Sequence, residues 1–258
     1  MGWFVVSEID TFINEIVADI RQSPHNMIDN KWHNVISGST LSFESLCLIN
    51  ALIEKLRPKN ILEFGCGVST QFICDVIKDH NDCNFHSVEN IEKFLIQTKS
   101  SLETNSNKVN FILAPIEPML INSCLFVTYS KSLLNKLDKN AHLDLVIIDG
   151  PLGRIFRRDA PLFLIKDRLH PGSIVLLDDS NRPKEQEALA LWKKIFGDSI
   201  EIIEVPDFHK GLTVVIIREE LPHLSFCARF RIQKIFDSIY SVWKNIGYMN
   251  KIKQLKLE

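Results

Sequence analysis

Three aspartates stand where apolar runs of the chain end. Asp149 follows the run LDLVII, and Asp178 and Asp179 follow the run GSIVLL. Both runs have the aliphatic composition of buried parallel strands, and the carboxyl ends of such strands meet at one edge of a sheet. Carboxylates gathered at that edge can take a proton from an acceptor group or bind a cation. An aspartate in the sequence DGP at 149–151 can also simply cap a turn, so both interpretations stay open.

Basic side chains flank these aspartates. Arg182 follows Asp179 closely, and three more arginines lie shortly after Asp149: Arg154, Arg157 and Arg158. Their guanidinium groups could bind an anionic acceptor such as a uronic acid, a sugar phosphate or another carboxylate. They could equally pair with the aspartates, because adjacent carboxylates are costly unless they are solvated or neutralised. The residues that we expect to activate or bind the acceptor are Asp149, Asp178, Asp179 and Arg182.

A second group of chemically informative residues lies in the stretch NILEFGCGVSTQF, residues 60–72. Gly65 and Gly67 follow an apolar run, where glycines permit dihedral angles closed to other residues and let a ligand approach closely. Thr70 replaces the third glycine of a dinucleotide fingerprint, and no Gly-Lys-Ser/Thr of a nucleoside-triphosphate loop follows. Glu63 would repel a pyrophosphate and attract a cation. The expected ligand therefore carries adenosine and positive charge without phosphate, as S-adenosylmethionine does. The alternative is a tight connection that binds nothing.

Two later segments strengthen the prediction of a nucleoside site. Glu89 ends the run CNFHSVE, 22 residues after Gly67, which suits an acid that accepts hydrogen bonds from ribose hydroxyls. Residues 114–116 follow the next run and could form a small apolar wall against an adenine ring, although an ordinary loop would look the same. The cofactor-binding residues that we expect are Glu63, Gly65, Gly67, Ser69, Thr70, Glu89, Ala114, Pro115, Ile116 and Asp149.

These residues need a scaffold that brings strand ends together, and the alternation of apolar runs with helical periodicity predicts one. The third strand is expected at 109–116, followed by a helical region at 130–137. The last two strands, IEIIEV and GLTVVIIRE, are joined by a short polar loop and should pair as an antiparallel hairpin. The predicted fold class is α/β: a Rossmann-like, seven-stranded, mostly parallel sheet with an antiparallel closing hairpin and helices on both faces.

We divide the chain into three parts. Residues 1–40 are expected to form an N-terminal helix and cap, residues 41–220 the S-adenosylmethionine-binding sheet domain, and residues 221–258 a basic amphipathic C-terminal helical extension. The extension differs from the rest in charge, because seven Lys/Arg face two Asp/Glu from Pro222 onward. Its apolar residues recur at helical spacing, which is typical of an interfacial helix on acidic lipid and equally of a helix packed on the domain or on a second subunit.

Residues 40–219 resemble a class I S-adenosylmethionine-dependent methyltransferase. LEFGCGVST is similar to the first motif of that family, Glu89 matches its ribose-binding acid, and LDLVIIDGPLG and GSIVLLDDSNRP are similar to its fourth-strand and fifth-strand motifs. The combination most resembles the subgroup called methyltransferase domain 24 and, more distantly, the catechol-type O-methyltransferases. The resemblance implies S-adenosylmethionine as cofactor, a sheet whose last strand is antiparallel, and methylation of a small-molecule or glycan acceptor on oxygen.

The catechol-type resemblance also raises the question of a metal. In those enzymes, positions comparable to Asp149 and Asp179 hold a divalent ion together with a neighbouring asparagine. Here Ser180 follows Asp179, Asn181 comes one place later, and Leu152 stands where that family has a lysine. A magnesium site of Asp149, Asp179 and Asn181 stays an alternative to a metal-free reaction in which an aspartate is the general base.

Composition narrows the function classes. The chain has 258 residues and a formal net charge of −2, so no basic surface for nucleic acid is expected. The six cysteines form no C-x-x-C pair and are expected to be reduced core thiols. No secretory signal and no apolar run long enough to span a membrane is recognised, which favours a cytoplasmic location. Membrane association or a homo-oligomer through the C-terminal helix stays open.

Two other function classes also stay open. A nicotinamide-dependent oxidoreductase would use the same kind of sheet, although the missing third glycine disfavours it. A non-catalytic methyltransferase-like protein would keep the fold and use the basic C-terminal helix to bind a membrane or a partner.

Overall fold

A computed structural model describes residues 6–35, 40–102, 108–121, 124–151 and 158–222. The strands in these ranges are β1 (Asn60–Phe64), β2 (Asn84–Glu89), β3 (Val109–Leu113), β4 (Ile116–Ile121), β5 (Cys124–Tyr129), β6 (Leu145–Ile148), β7 (Ile174–Asp178), β8 (Ile200–Val205) and β9 (Leu212–Ile217). The α-helices are α1 (Val6–Gln22), α2 (Phe43–Leu56), α3 (Val68–Val76), α4 (Glu92–Ser101), α5 (Ala160–Ile165) and α6 (Pro183–Phe196).

Seven of the strands form one sheet in the order β3-β2-β1-β6-β7-β9-β8. The first five in this order are parallel, whereas β9 runs antiparallel to both β7 and β8. The predicted Rossmann-like, seven-stranded, mostly parallel sheet with an antiparallel hairpin at one edge is confirmed. The strand order reverses between β1 and β6, and ligands of open α/β sheets bind at the carboxyl ends of the strands at such a point.

Helices cover both faces because side chains alternate along each strand. Ile61 faces a core that it shares with α1, α2 and α3, and Leu62 and Phe64 face the opposite core with α5 and α6. The strands β1 and β6 are buried on both faces, as expected for central parallel strands. This burial fixes where β1 and β6 end, and therefore where their loops lie.

Local signals set the ends of α2, the helix before β1. The side chain of Ser42 accepts a hydrogen bond from the backbone N–H of Ser45 at 3.1 Å, which caps the first turn. The helix ends at Leu56, and the next residue, Arg57, is left-handed with a φ of 49° and precedes Pro58. Ile9 and Ile13 of α1 belong to the same core as α2, so α1 packs on the sheet domain. The boundaries proposed at 40 and 220 stay predictions.

The closing hairpin brings one loop to the site. Because β9 lies between β7 and β8, Asp178 at the end of β7 pairs with Leu212 at the start of β9. The loop from β8 to β9 therefore lies beside the residues that follow β7. Lys210 in this loop has a φ of 64°.

A second, two-stranded antiparallel sheet of β4 and β5 was not predicted. The third strand ends at Leu113 instead of continuing to Ile116, which starts β4, and the predicted helical region is a short 3₁₀ stretch at Lys131–Lys136. Two prolines, at 115 and 118, hid β4 from a pattern search, because proline weakens the strand signal. The hairpin matters because β5 ends at Tyr129, whose ring packs 5.1 Å from that of Phe64.

Other expectations concern thiols, membranes and the extension. Four cysteines in the described ranges, Cys47, Cys66, Cys74 and Cys83, are free, as expected. No helix in those ranges combines the length and the apolarity that crossing a bilayer requires. The expected C-terminal helix lies outside the described residues from 223 onward, and so do Arg154 and Arg157.

Candidate cofactor and acceptor site

The glycine turn after β1 is held against the loop after β6. Gly65 has a φ of +97°, and a Cβ there would lie 3.0 Å from the backbone N of Gly150. Gly67 is different, because its backbone is extended and a Cβ there would meet no atom within 4 Å. The expectation that both glycines supply special dihedral angles is thus correct only for Gly65. Gly67 borders open space, which is what the close approach of a ligand requires.

Glu63 lies beneath this turn and is fully buried. Its carboxylate accepts hydrogen bonds from the hydroxyls of Ser69, Thr70 and Ser87 at 2.5, 2.6 and 2.6 Å. Thr70 also accepts the backbone N–H of Gly67 at 2.9 Å, so Glu63 organises the turn through α3. Burial raises the pKa of Glu63 to about 7, against the opposing effect of the three hydroxyl donors. Direct contact of Glu63 with a cofactor stays a prediction.

Glu89 ends β2 and links that strand to the glycine turn. Its Oε1 accepts the backbone N–H groups of Asn90 and Ile91 at 2.7 Å each, and Oε2 accepts that of Cys66 at 3.3 Å. Burial raises the pKa of Glu89, and these backbone donors oppose the rise. Three backbone amides thus set the orientation of the carboxylate, and its contact with ribose hydroxyls stays a prediction.

Residues 114–116 adjoin Glu89. The backbone N–H of Ala114 donates to the carbonyl of Glu89 at 2.8 Å, and Ala114 is fully buried. The carbonyl of Pro115 accepts from the backbone N–H of Ser130, which ties this segment to the end of β5. The three residues therefore lie at the edge of the expected nucleoside site. Their contact with an adenine ring stays a prediction.

Tyr129 is a candidate site residue that sequence analysis missed. It is fully buried, and its hydroxyl has no hydrogen-bond partner among the described residues. A Cβ at Gly150 would collide with this hydroxyl, so the group lies directly on the loop after β6. Burial raises the pKa of Tyr129, and the charges of Glu89 and Asp149 raise it further. The hydroxyl of Tyr129 therefore lies near two of the acids that are expected to contact the cofactor. A buried polar atom without a partner requires an explanation, such as strain, a catalytic role or an ordered water or ion.

The three aspartates come together at the ends of β6 and β7, as expected. One carboxylate oxygen each of Asp149, Asp178 and Asp179 lies within 4.8 Å of the others. Asp149 is the most accessible of the three, with 18% of its side chain exposed, against 5% for Asp179. Asp149 belongs to the same loop as Gly150, whose N lies against Gly65. The acid cluster therefore adjoins the glycine turn.

Arg158 contacts all three residues of this cluster, two through their carboxylates and Asp178 through its backbone carbonyl. Its Nη2 lies 3.1 Å from Asp149 Oδ1 and 3.0 Å from Asp179 Oδ2, and its Nη1 donates to the backbone carbonyl of Asp178 at 2.9 Å. Arg158 is 3% exposed, so these are buried ion pairs. Sequence analysis named Arg158 only as one of four arginines, and nothing in its local pattern distinguished it.

Asp179 collects further cations. Arg182 Nη1 lies 2.6 Å from Asp179 Oδ2, and Lys210 Nζ lies 3.8 Å from Asp179 Oδ1. The backbone of Asp179 is left-handed, with a φ of 59°, which turns its carboxylate back toward the cluster. Asp179, which the sequence favoured for acceptor activation, is therefore held in several ion pairs. Asp149 is both more exposed and less fully paired.

The acids differ in proton affinity. Burial raises the pKa of Asp149 to about 6, with Arg158 lowering it and Asp179 raising it. Burial also raises the pKa of Asp178 well above its usual range, and the charges of Asp149 and Asp179 raise it further. A side-chain hydrogen bond between Asp178 and Asp149 lowers the pKa of Asp149.

The predicted magnesium ligands are not arranged as a metal site. The side-chain amide of Asn181 donates to the backbone carbonyl of Pro206 at 2.8 Å, in the loop between β8 and β9. Asp149 and Asp179 are bridged by Arg158 instead, and Mg²⁺ requires oxygen ligands at about 2.0–2.1 Å in octahedral geometry. The residues present do not fit the ion, so no step of a reaction is assigned to it.

The strand order, the glycine turn and Glu89 together define a class I methyltransferase fold. Residues 62–180 match the family model Methyltransf_24, which is described as a methyltransferase domain. No curated protein sequence matches the chain.

Solved structures share the fold at low sequence identity. An SAH-bound methyltransferase of Podospora anserina is 14% identical, with 85% of this chain and 100% of that chain covered and a TM-score of 0.53. The O-methyltransferase TomG of Streptomyces achromogenes, involved in tomaymycin synthesis and solved in complex with SAM, is 14% identical, with 81% of this chain and 98% of that chain covered and a TM-score of 0.53. Similarity of this kind establishes the fold.

Proposed function

We propose that this protein is an S-adenosylmethionine-dependent methyltransferase that methylates oxygen of a small-molecule or glycan acceptor. The observation that carries the proposal is the contact between two loops, because Gly65 lies against Gly150 and thereby sets Asp149 beside the cofactor turn. The family match over residues 62–180 supports the transferase class. The O-methyltransferase named in one structural neighbour supports oxygen as the acceptor atom.

The two acids on the proposed cofactor side, Glu63 and Glu89, accept hydrogen bonds from neutral donors. Glu89 would accept the ribose hydroxyls, the open space beside Gly67 would receive the cofactor, and the unpartnered hydroxyl of Tyr129 would donate to it. Glu89 and the ionised fraction of Glu63 contribute negative charge that favours a cationic ligand. S-adenosylmethionine, when bound, supplies a methyl group on a positively charged sulfur.

Asp149 is the proposed general base. Its pKa of about 6 leaves it ionised at neutral pH yet basic enough to take the proton of an acceptor hydroxyl. The oxygen lone pair then forms the bond to the methyl carbon, the carbon–sulfur bonding pair stays on sulfur, and the proton remains on the Asp149 carboxyl. Arg158 and Asp178 hold Asp149 in position during this transfer.

Isothermal titration calorimetry with S-adenosylmethionine and S-adenosylhomocysteine tests the cofactor. Wild type should bind both, and Glu89→Ala should weaken binding about 100-fold, because two hydrogen bonds to a carboxylate are lost. Glu92→Ala, an exposed acid at the start of α4, is the matched control and should bind as wild type does. The cofactor proposal fails if wild type binds neither compound.

A second titration separates the rival classes. Saturable quenching of reduced nicotinamide cofactor fluorescence, without binding of S-adenosylhomocysteine, would support an oxidoreductase. Binding of S-adenosylhomocysteine without turnover on any acceptor would support the non-catalytic alternative. Formation of S-adenosylhomocysteine with a panel of catechols, uronic acids and sugar phosphates, lost in Asp149→Asn, would support the proposed reaction.

A further inference from the structure

The guanidinium of Arg158 lies between the side chains of the aspartate cluster and is almost fully buried. One nitrogen, Nη2, contacts both Asp149 Oδ1 and Asp179 Oδ2, at 3.1 and 3.0 Å. A fourth acid, Glu185 of α6, lies 3.9 Å from Nε and is also buried. One cation thus contacts acids from the ends of β6 and β7 and from the first turn of α6.

A divalent ion would need the same place. An ion shared by Asp149 Oδ1 and Asp179 Oδ2 would lie about 2.0–2.1 Å from each oxygen, in the space that Nη2 fills. Charge also opposes it, because Arg182 already contacts the same oxygen, Asp179 Oδ2, and Lys210 approaches Asp179 Oδ1. Two oxygens remain without a hydrogen-bond partner among the described residues, Asp178 Oδ1 and Asp179 Oδ1. The acids could therefore bind an ion once the guanidinium is gone.

We propose that Arg158 is the permanent cation of this cluster and takes the structural place of a divalent metal ion. Removal of the guanidinium should create a cation site from Asp149, Asp178 and Asp179. An arginine side chain stays charged and covalently attached, so neither a chelator nor metal depletion empties the site. Because Arg158 is buried, it acts on the acceptor only through Asp149 and is a positioning residue.

Titration calorimetry with Mn²⁺ alone at pH 7.5 tests this proposal on the full chain. Wild type should show no saturable Mn²⁺ binding at the cluster. Arg158→Ala should show saturable Mn²⁺ binding, at least about tenfold tighter than any residual binding by wild type, because Asp149 and Asp179 lose their shared cation. Arg158→Lys should stay like wild type, since a cation is restored. Arg182→Ala is the matched control, because it removes a more exposed partner of the same carboxylate and leaves Arg158 in place.

Two results would overturn the proposal. One is saturable Mn²⁺ binding by wild type that Asp149→Asn abolishes, which would show that metal and guanidinium coexist. The other is folded Arg158→Ala that binds no more Mn²⁺ than wild type does. If Arg158→Ala does not fold, Arg158→Gln serves, because its neutral amide is closer in size. The measurement needs no cofactor or acceptor, so its failure leaves the proposed methyl transfer untouched.

Discussion

The two acid groups of the site are neutralised in different ways. On the β1–β2 side, Glu63 and Glu89 accept hydrogen bonds from hydroxyls and backbone amides, and no described cation pairs with either. On the β6–β7 side, the aspartates are bridged by a buried arginine. Neutral donors hold a carboxylate without cancelling its charge, whereas an ion pair cancels it.

This difference assigns different tasks to the two sides. The β1–β2 side suits a cationic cofactor, because no described cation neutralises Glu89 or the ionised fraction of Glu63. The side with cancelled charge can hold three carboxylates close together and still leave one of them, Asp149, partly exposed with a pKa of about 6. Mutations that exchange or remove these two modes of neutralisation test the comparison directly.

The largest effect is expected from removing the cation of the β6–β7 side. Arg158→Ala should lower the free energy of unfolding by about 3–5 kcal/mol, because it leaves buried carboxylates uncompensated. Arg182→Ala, with 44% of its side chain exposed, should cost less than about 1 kcal/mol. Urea unfolding of both variants gives the comparison. Equal losses would show that Arg158 does not balance the cluster.

The next effect concerns the buried acid of the β1–β2 side. Because the folded pKa of Glu63 is about 7, above the usual value for glutamate, folding binds a proton between about pH 4.5 and 7. Glu63 should therefore contribute a loss of about 3 kcal/mol of stability as pH rises through this window. The loss should be smaller in Glu63→Gln by about this amount, and the exposed Glu219→Gln should lose as much as wild type does. Parallel pH profiles for wild type and Glu63→Gln would show that hydroxyl donors keep Glu63 ionised.

More of the residues on the β1–β2 side than on the β6–β7 side could be predicted from the sequence. The glycine turn, Glu63 and Glu89 all lie within or beside strands whose patterns are local. Arg158 follows a stretch without such a pattern, and only the structure shows that it contacts both Asp149 and Asp179. Tyr129 was missed for a similar reason, because it ends a hairpin whose first strand contains a proline. Both residues are brought to the site by long-range contacts, which a short sequence pattern does not encode.

A smaller pair of effects separates the two glycines of the β1–β2 side. Gly65→Ala should destabilise the protein by about 1–3 kcal/mol, because φ is positive and the new methyl group meets the backbone of Gly150. Gly67→Ala should change the free energy of unfolding by less than about 0.5 kcal/mol. It should nevertheless weaken S-adenosylhomocysteine binding, because its methyl group would enter the ligand space. Unchanged binding would place the cofactor away from Gly67. Thermal melts and calorimetry measure the two quantities.

The smallest effect falls on the boundary between the two sides, where the Tyr129 hydroxyl lies against Gly150. Tyr129→Phe removes only this hydroxyl, which has no partner among the described residues, so the free protein should be as stable as wild type or slightly more stable. Affinity for S-adenosylhomocysteine should fall by about 1 kcal/mol, or roughly fivefold, if the hydroxyl donates to the cofactor. A loss of stability in the free protein with unchanged affinity would mean that the hydroxyl serves the fold. A loss of affinity without a loss of stability would extend the cofactor site onto β5. The hairpin would then contribute a neutral donor, as β1 and β2 do.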